Sequence, residues 1–297
     1  MSKSSKILES RSDRVFLAVN YLFLLIAFAV VAYPLYYVVI SSFSEIGSIR
    51  SAVPLLPGKI TLDGYRRVFM DNGIWRGYLN SVVYTAVGTA INLLLTLTGA
   101  YAMSRSDLPF RRTINMLVII TMFVNSGLIP RFLLVNSLGM MDSLWALVLP
   151  NAITVYNLLV ARSFFRSTLP GELLEASQID GCSDFRFFVS IALPLSKAII
   201  AVLTIYYGVM HWNAYFNALI YLRSKQKAPL QLVLRNILVL NETLASITDG
   251  DTVAVLQKLM ESIKYSVIIL ASLPMMILYP YMQKFFVKGV MLGSVKG

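Results

Sequence analysis

Acidic side chains are rare in this chain, yet four of them fall close together. The sequence contains only 15 Asp and Glu residues among 297. Residues 168–194, called here the acidic segment, hold Glu172, Glu175, Asp180 and Asp184 between two apolar runs. Because an unpaired charge is costly to place in hydrocarbon, carboxylates at this density cannot lie inside a membrane. We therefore expect the acidic segment to lie in water, along a membrane surface.

Side chains suited to nucleophilic or metal chemistry are scarce. Cys182 and His211 are the only cysteine and histidine, and the sequence has no HExxH motif. An intramembrane enzyme would need a nucleophile with its base, or a metal constellation. A proton-coupled carrier would need carboxylates within its spans, whereas every Asp and Glu falls in a predicted loop or at a span boundary. Both classes are therefore disfavoured as alternatives.

The composition is typical of an integral membrane protein. Hydrophobic residues make up 57% of the chain and charged residues 14%, with a mean hydropathy of +0.69, which lies outside the range of ordinary soluble domains. The formal net charge is +11, but the Lys and Arg residues form short clusters beside apolar runs and no nucleic-acid motif. Attraction to anionic headgroups and the positive-inside bias explain them more simply than nucleic acid does.

Six apolar runs are long enough to cross a bilayer. They are residues 15–40, 79–103, 114–136, 144–165, 195–222 and 262–286. Pro34 predicts a kink in the first run. Arginines after the second and fourth runs, with Lys284 at the end of the sixth and Lys288 and Lys296 beyond it, predict that both termini and the acidic segment are cytoplasmic. The fold class is thus all-α, with six transmembrane helices.

This pattern predicts the organisation of the whole chain. A basic tail (1–14) precedes the first transmembrane helix and an outer segment (15–78), whose TLDGYRRVF stretch is amphipathic. A core domain (79–288) contains the cytoplasmic loop 167–194 and an outer loop, 223–261, with a helix across PLQLVLRNILVL. A cytoplasmic tail (289–297) ends the chain.

The acidic segment itself predicts two short helices. Thr168 can cap the first, Pro170 suits its first turn, and Gly181 can end it in a left-handed conformation. About twelve residues give a rod of roughly 18 Å, too short to span a bilayer. Its apolar stripe is Leu169, Leu173 and Ala176. Ser183 can cap a second helix, DFRFFVS, before Pro194 begins the next run. A solvated loop helix without a role is the alternative interpretation.

The spacing of several of these residues resembles a known family motif. Glu175, Ala176 and Ser177 are followed after three residues by Gly181, and after nine more by Ile191-Ala192-Leu193-Pro194. This pattern is similar to the EAA motif in the membrane subunits of bacterial ATP-binding-cassette (ABC) importers, and its one departure is Ser177 in place of alanine. Six spans with the motif after the fourth resemble the sugar-importer permeases of the maltose-importer type.

The resemblance implies a type I importer permease fold, in which the first short helix is a coupling helix between helices 4 and 5. The helix would dock on a cytoplasmic ATPase subunit, with Glu175 in polar contact and Ala176 and Ser177 allowing close approach. Gly181 would set the bend and Pro194 the junction with the fifth span. The full set of implied coupling residues is Glu172, Glu175, Ala176, Ser177, Asp180, Gly181, Ile191, Leu193 and Pro194.

The resemblance also implies partners. These are two ATPase subunits that carry ATP and Mg, a second homologous permease, an extracytoplasmic solute-binding protein, an oligosaccharide and membrane lipid. The sequence has no GxxxxGK[ST] phosphate loop, so it cannot supply the ATP energy itself, and no cofactor is expected on this chain. The implied location is the bacterial inner membrane.

The two ends of the sequence resemble one branch of that family. ESRSDRVFLAVNYLFLL near the start and FFVKGVMLGSVKG at the end look like members that import oligosaccharides derived from complex polysaccharides. Some of these are acidic, such as alginate or pectin fragments. The ends therefore indicate a substrate class.

Polar and aromatic groups within the spans are candidates for a sugar path. Arg131 could hold a sugar carboxylate through a bidentate guanidinium contact, or could be an arginine that snorkels to the outer surface. Trp212 and Tyr215 could stack on sugars or belong to the interfacial belt, and His211 is expected to bond between helices. The remaining candidates line a cavity or bond across helices: Asn125, Asn151, Asn157, Asn213 and Asn217.

Overall fold

The structure is a computed structural model that describes residues 11–45, 56, 59–124, 126–246 and 263–280. All regular secondary structure in these residues is helical, apart from one isolated antiparallel bridge between Ser44 and Ile60. The chain divides into two compact units, Met1–Val68 with Asn241–Ile269, and Phe69–Leu240 with Leu270–Gly297. Asn125, the basic tail before residue 11 and the lysines beyond residue 280 lie outside the described residues.

Helix α1 (Arg11–Ser42) forms the long element of the first unit. None of its most apolar stretch is buried within the chain, so Phe16, Phe23 and Phe28 expose more than two-thirds of their surface. Such a helix is stable only where lipid or another subunit covers it. At its end the Tyr65 hydroxyl donates to Ser42 Oγ at 2.9 Å. Tyr65 belongs to α2 (Asp63–Met70), the predicted amphipathic segment.

Helix α3 (Asn72–Ser104) is the central element of the second unit. Asp71 caps it by accepting from Gly73 N at 2.7 Å and Ile74 N at 3.2 Å, so the helix begins before the predicted second span. Gly88, Asn92, Thr96 and Ala100 are buried at four-residue intervals. That spacing places them on one face.

Three predicted spans are broken rather than continuous. The third is divided into α4 (Arg111–Phe123) and α5 (Leu128–Ser137). The fourth consists of α6 (Leu144–Val148), a 3-10 turn at Leu149–Asn151 and α7 (Val155–Thr168), with a bend of 55°. Pro150 explains this break because it has no N–H for helix bonding. Together with α1, α3 and the helix at Ile263–Pro280, they give six crossings if each bent pair is one span.

The fifth predicted span follows a sharp bend and is interrupted near its end. The helical run before the bend contains α9 (Asp184–Phe187), a π turn at Phe188–Ala192 and α10 (Leu193–Leu195). A bend of 81° then leads into α11 (Lys197–Trp212). After a break at 213–215, α12 (Phe216–Tyr221) completes the run.

Helix α13 (Leu230–Ser246) confirms the helix predicted in the outer loop, and α14 (Ile263–Pro280) is the described part of the sixth span. The main hydrophobic core joins α3, α7, α9 and α11. Among its most deeply buried members are Ala100, Ala161, Phe165, Leu203 and Tyr207. The acidic segment therefore packs directly on the helices at the centre of this unit.

Candidate coupling segment and polar helix core

The first helix of the acidic segment is α8 (Gly171–Ile179), nine residues long. Thr168 is not its N-cap, contrary to the prediction, because α7 continues through Thr168. Leu169 is extended, with φ −106° and ψ 98°, as expected of a residue before proline. Pro170 then precedes α8 without a side-chain cap. The turn between α7 and α8 is thus set by Pro170.

The inner face of α8 differs by one position from the predicted stripe. Leu173 and Leu174 are half-buried and Ser177 is buried, whereas Ala176 is exposed. The Ser177 hydroxyl donates to the Leu174 carbonyl at 2.7 Å. A serine in place of the motif's alanine therefore brings no unpaired hydroxyl into the core.

The outer face of α8 is open to solvent. Glu172, Glu175 and Ala176 are exposed there. Ile179 is 87% exposed and Phe185, just after the bend, 76% exposed. Two large apolar side chains beside two carboxylates form a surface with both charge and hydrophobic area available to a partner. Ile179 and Phe185 lie outside the motif, so they could not be recognised from the sequence pattern.

The bend after α8 is a Schellman motif centred on Gly181. Gly181 has φ +76°, and its N–H donates to the Gln178 carbonyl at 3.0 Å. The Cys182 N–H donates to the Ser177 carbonyl at 2.9 Å, which gives the paired 6→1 and 5→2 bonds of this motif. Asp180, at the helix end, remains exposed. The predicted left-handed glycine is confirmed.

The segment after the bend returns to the core. Ser183 Oγ accepts from Arg186 N at 3.3 Å, which confirms the predicted cap. Phe187 and Phe188 are buried and their rings lie 6.3 Å and 4.9 Å from Tyr101 of α3. Of the remaining motif residues, Ile191 and Leu193 pack against the same core, and Pro194 is exposed within α10.

Arg105 ties the acidic segment to the end of α3. Its side chain is only 11% exposed and bonds Asp107 at 2.6 Å and Asp184 at 2.7 Å, and it also donates to the Tyr101 hydroxyl at 3.3 Å. Hydrogen bonding with Asp107 is the main cause that raises the pKa of Arg105 above its ordinary value. The same contact lowers the pKa of Asp107. Sequence reasoning missed the role of this residue, because the Arg105-Ser106-Asp107 spacing indicates only the local ion pair with Asp107 and not the one with Asp184.

Among the predicted path residues, His211 and Asn151 are brought together through Asn92. His211 Nε2 lies 3.4 Å from Asn92 Oδ1, and Asn92 Nδ2 donates to the Asn151 carbonyl at 3.1 Å. The Thr96 and Tyr207 hydroxyls are 2.7 Å apart one turn deeper. Asn157 is also buried, and its amide nitrogen has no partner within the described part of the chain. These groups form a polar core between helices.

Trp212 and its neighbours divide into buried and open groups. Trp212 is 3% exposed, and its indole N–H donates to the Ala271 carbonyl at 2.9 Å. Asn213 and Tyr215 are exposed at the break before α12, and Asn217 is half-buried. Asn213 Nδ2 donates to the Val209 carbonyl at 3.0 Å. The exposed members therefore sit where the fifth run interrupts its helix.

Arg131 lies in α5 and is half-buried. Among the described residues it has no hydrogen-bond or ion-pair partner. Gly127, at the start of the same helix, has φ +76°. The structure does not bring Arg131 into the His211 network.

An aspartate not predicted from sequence organises the start of the segment that joins α12 to α13. Asp142, with φ +54°, accepts from the Arg223 and Ser224 N–H groups, each at 3.0 Å, and from Ser224 Oγ at 2.7 Å. Lys227 Nζ pairs with it at 2.9 Å. The bonds from Ser224 are the main cause that holds the pKa of Asp142 well below its ordinary value.

This chain is similar to known transport proteins over nearly its whole length. No protein-family model matches it. The polygalacturonan/rhamnogalacturonan transport system permease protein YtcP of Bacillus subtilis is 38% identical over 290 residues, 96% of this chain and 99% of YtcP. Protein LplC of the same organism is 40% identical over 289 residues, 97% of each chain. The chain belongs to the permease subunits of ABC sugar importers.

A solved structure supports the fold of this permease. One chain of a bacterial ABC transporter involved in the import of the acidic polysaccharide alginate has a TM-score of 0.85 and 30% identity, and the match covers 95% of the permease and 100% of that chain. The permease is therefore an all-α membrane protein and not itself an enzyme. The ATPase of such importers lies on separate subunits, and a binding protein is a further partner of this class.

Proposed function

We propose that the permease translocates acidic oligosaccharides, of the kind released from uronate-containing polysaccharides. The observation that carries this proposal is the agreement between two independent comparisons. One relative is named for polygalacturonan and rhamnogalacturonan, and the matched structure belongs to an alginate importer. All three polymers carry carboxylates. An importer of such substrates needs cationic or hydrogen-bonding groups that replace the hydration of each carboxylate.

Arg131 is our first candidate for such a contact. It lies half-buried in a short helix that begins after a break, and it has no acidic partner within the described residues. An arginine within a membrane span and without a partner is a candidate functional residue, because its charge is costly to leave unpaired. Asn213 and Tyr215, at the break before α12, and Asn217, in the first turn of α12, are further candidates. Discontinuous helices in transporters commonly bind substrate.

We also propose that α8 docks on an ATPase subunit. Glu172, Glu175, Ala176, Ile179 and Phe185 offer the exposed surface for this contact. In this proposal the acidic segment and both termini face the cytoplasm of a bacterium, and the chain lies in the inner membrane. A second permease supplies a second such helix, so that one complex contains two permeases and two ATPase subunits that bind ATP and Mg.

The described contacts supply a route from α8 to the transmembrane helices. The Schellman motif joins α8 to α9, and Arg105 joins the first residue of α9 to the end of α3. Phe187 and Phe188 pack on Tyr101 of the same helix. When the ATPase subunits close, these connections would move the two permeases as rigid bodies and switch the cavity between its two faces.

The substrate proposal is tested with the complete complex in liposomes. ATP hydrolysis is measured while the binding protein is loaded in turn with uronate oligosaccharides and with neutral oligosaccharides of equal length. We expect stimulation by the uronates. Stimulation by neutral sugars alone would keep the importer assignment and remove the acidic substrate. Under the uronate result, Arg131→Gln should raise the concentration needed for half-maximal stimulation more than Arg131→Lys does.

A further inference from the structure

A basic groove lies between the start of α4 and the end of α7, apart from the residues discussed above. Its volume is about 890 Å³. Four of the residues that line it are arginines: Arg111, Arg112, Arg162 and Arg166. No Asp or Glu lines the groove, and none of the four has an ion pair within the described part of the chain. The groove is therefore a concentration of uncompensated positive charge.

Several backbone and side-chain groups in the groove favour an anion with hydroxyl groups. Phe110 precedes α4 with φ +53°, and no side chain caps this helix, so its first N–H groups are available to an anion. Arg162 Nε donates to the Met103 carbonyl at 3.2 Å, which orients its guanidinium. Asn115 lines the groove, and its buried Oδ1 has no partner among the described residues. That oxygen requires a donor.

Further along α4, the groove has an apolar wall. Met116, Ile119 and Ile120 line it and are 64%, 41% and 42% exposed. They lie roughly 6 to 12 Å beyond Arg112 along the helix axis, at about 1.5 Å per residue. The groove thus presents cations at its end and an apolar surface further along α4, the order in which a phospholipid presents its headgroup and its acyl chains.

We propose that this groove binds one anionic glycerophospholipid with a polyol headgroup, of the phosphatidylglycerol or cardiolipin type. The phosphate accepts hydrogen bonds from the arginines and from the start of α4. A headgroup hydroxyl donates to Asn115 Oδ1 once this buried side chain turns toward the groove, and an acyl chain lies on Met116, Ile119 and Ile120. A soluble uronate or a carboxylate of a partner subunit would match the cations alone, and the apolar wall favours the lipid.

The groove shares two of its lining residues with a crevice beside the acidic segment. Arg111 and Arg166 line a second crevice, of about 300 Å³, whose wall includes Gly171 and Leu174 of α8. A lipid that holds α4 and α7 together would therefore fix the end of α7 from which α8 continues. Lipid binding is thus a further requirement of the proposed transport function, but it can be measured without any transport.

The experiment uses the whole transporter complex, purified in mild detergent and analysed by native mass spectrometry. Its probe is phosphatidylglycerol added to a delipidated sample. We expect Arg111→Gln/Arg112→Gln to weaken retention of one phosphatidylglycerol by roughly tenfold or more. Arg11→Gln/Arg14→Gln, at the exposed start of α1, removes the same charge elsewhere and should retain it. Arg162 is left unchanged because it also bonds Met103.

A second measurement separates lipid from other anions. Inorganic phosphate and a uronate oligosaccharide are added in competition; displacement by either would show a site for soluble anions and contradict the proposal. Equal lipid retention by both double variants would also contradict it. In liposomes, phosphatidylglycerol should stimulate uptake by the wild type and by the α1 control, and the groove variant should lose this stimulation. Failure of all uptake with intact lipid retention would count against the proposed function instead.

Discussion

Gly88 of α3 lies directly against the imidazole of His211 in α11. A β-carbon on residue 88 would be 2.5 Å from His211 Nε2 and 2.6 Å from His211 Cε1. Asn92, one turn further along α3, is in polar contact with the same nitrogen. The glycine therefore permits the close approach through which the buried histidine reaches its partner.

Gly88→Ala should consequently destabilise the permease. The added methyl group forces the buried ring aside, and such overpacking costs about 1–3 kcal/mol. The measurement is the apparent Tm of the complete complex. His211→Ala in the same chain removes the obstructing ring, so the double variant should lose less than the two single losses added together. Gly99→Ala, whose β-carbon would meet only Leu158 Cδ1 at 3.3 Å, is the matched control. Equal losses for Gly88→Ala and Gly99→Ala would contradict this packing account.

Gly181→Val should abolish uptake while membrane insertion remains normal. A β-branched residue is strained at φ +76°, although the space around residue 181 is open. Gly181→Asn should retain more uptake, since asparagine tolerates the left-handed region. Gly171→Ala, at the other end of α8, also meets open space and should be neutral apart from any partner contact. Normal uptake by the valine variant would refute the role assigned to this bend.

Asp184→Asn should reduce the amount of sugar transported for each ATP hydrolysed. It weakens the 2.7 Å contact with Arg105 that joins α9 to the end of α3. Asp184 is 65% exposed, so the loss of stability should be about 1 kcal/mol or less. Asp107→Asn removes the other ion pair of Arg105 without touching the acidic segment. If the two variants change the amount of sugar transported for each ATP equally, the Arg105–Asp184 contact has no specific role in coupling.

The segment that joins α12 to α13 should lose stability in acid. Because the pKa of folded Asp142 is lowered, its contribution is fully present above the ordinary aspartate pKa, near 3.9. It is lost as the pH falls through the lower folded value. Protection of the Arg223 and Ser224 amides from hydrogen exchange should therefore fall as the pH is lowered below about 4. In Asp142→Asn that protection should be weak throughout, with no such acid step.

The bend of the acidic segment could be predicted from residues close to it in the sequence. Gly181 and Ser183 act within a few residues of their own positions, and both predictions are confirmed. The prediction that Thr168 caps the first helix of the acidic segment was wrong. Because Pro170 restricts Leu169 to an extended conformation, α7 ends at Thr168 and α8 begins only at Gly171. Composition located the apolar runs, but it could not show the changes of direction after α4, at Pro150 or at Ser196.

Long-range contacts were not accessible to sequence reasoning. Arg105 and Asp184 are 79 residues apart, and Asp142 and Ser224 are 82 apart. Neither pair has a fixed spacing that a motif could reveal. The Gly88–His211 contact has the same character, since only the packing of α3 on α11 brings the two residues together. Roles for Arg131 and the other path residues stay predictions.

The most direct test of the coupling proposal is ATP-driven uptake of a labelled uronate oligosaccharide into liposomes that contain the complete complex. Wild type is compared with Glu175→Lys/Ile179→Ser, which changes only the exposed face of α8, and with Ser167→Ala, an exposed position before it. We predict ATP-dependent accumulation by wild type and Ser167→Ala, and loss of both accumulation and sugar-stimulated hydrolysis in the double variant. Wild-type accumulation by that variant would contradict the assignment of α8 as the contact with the ATPase.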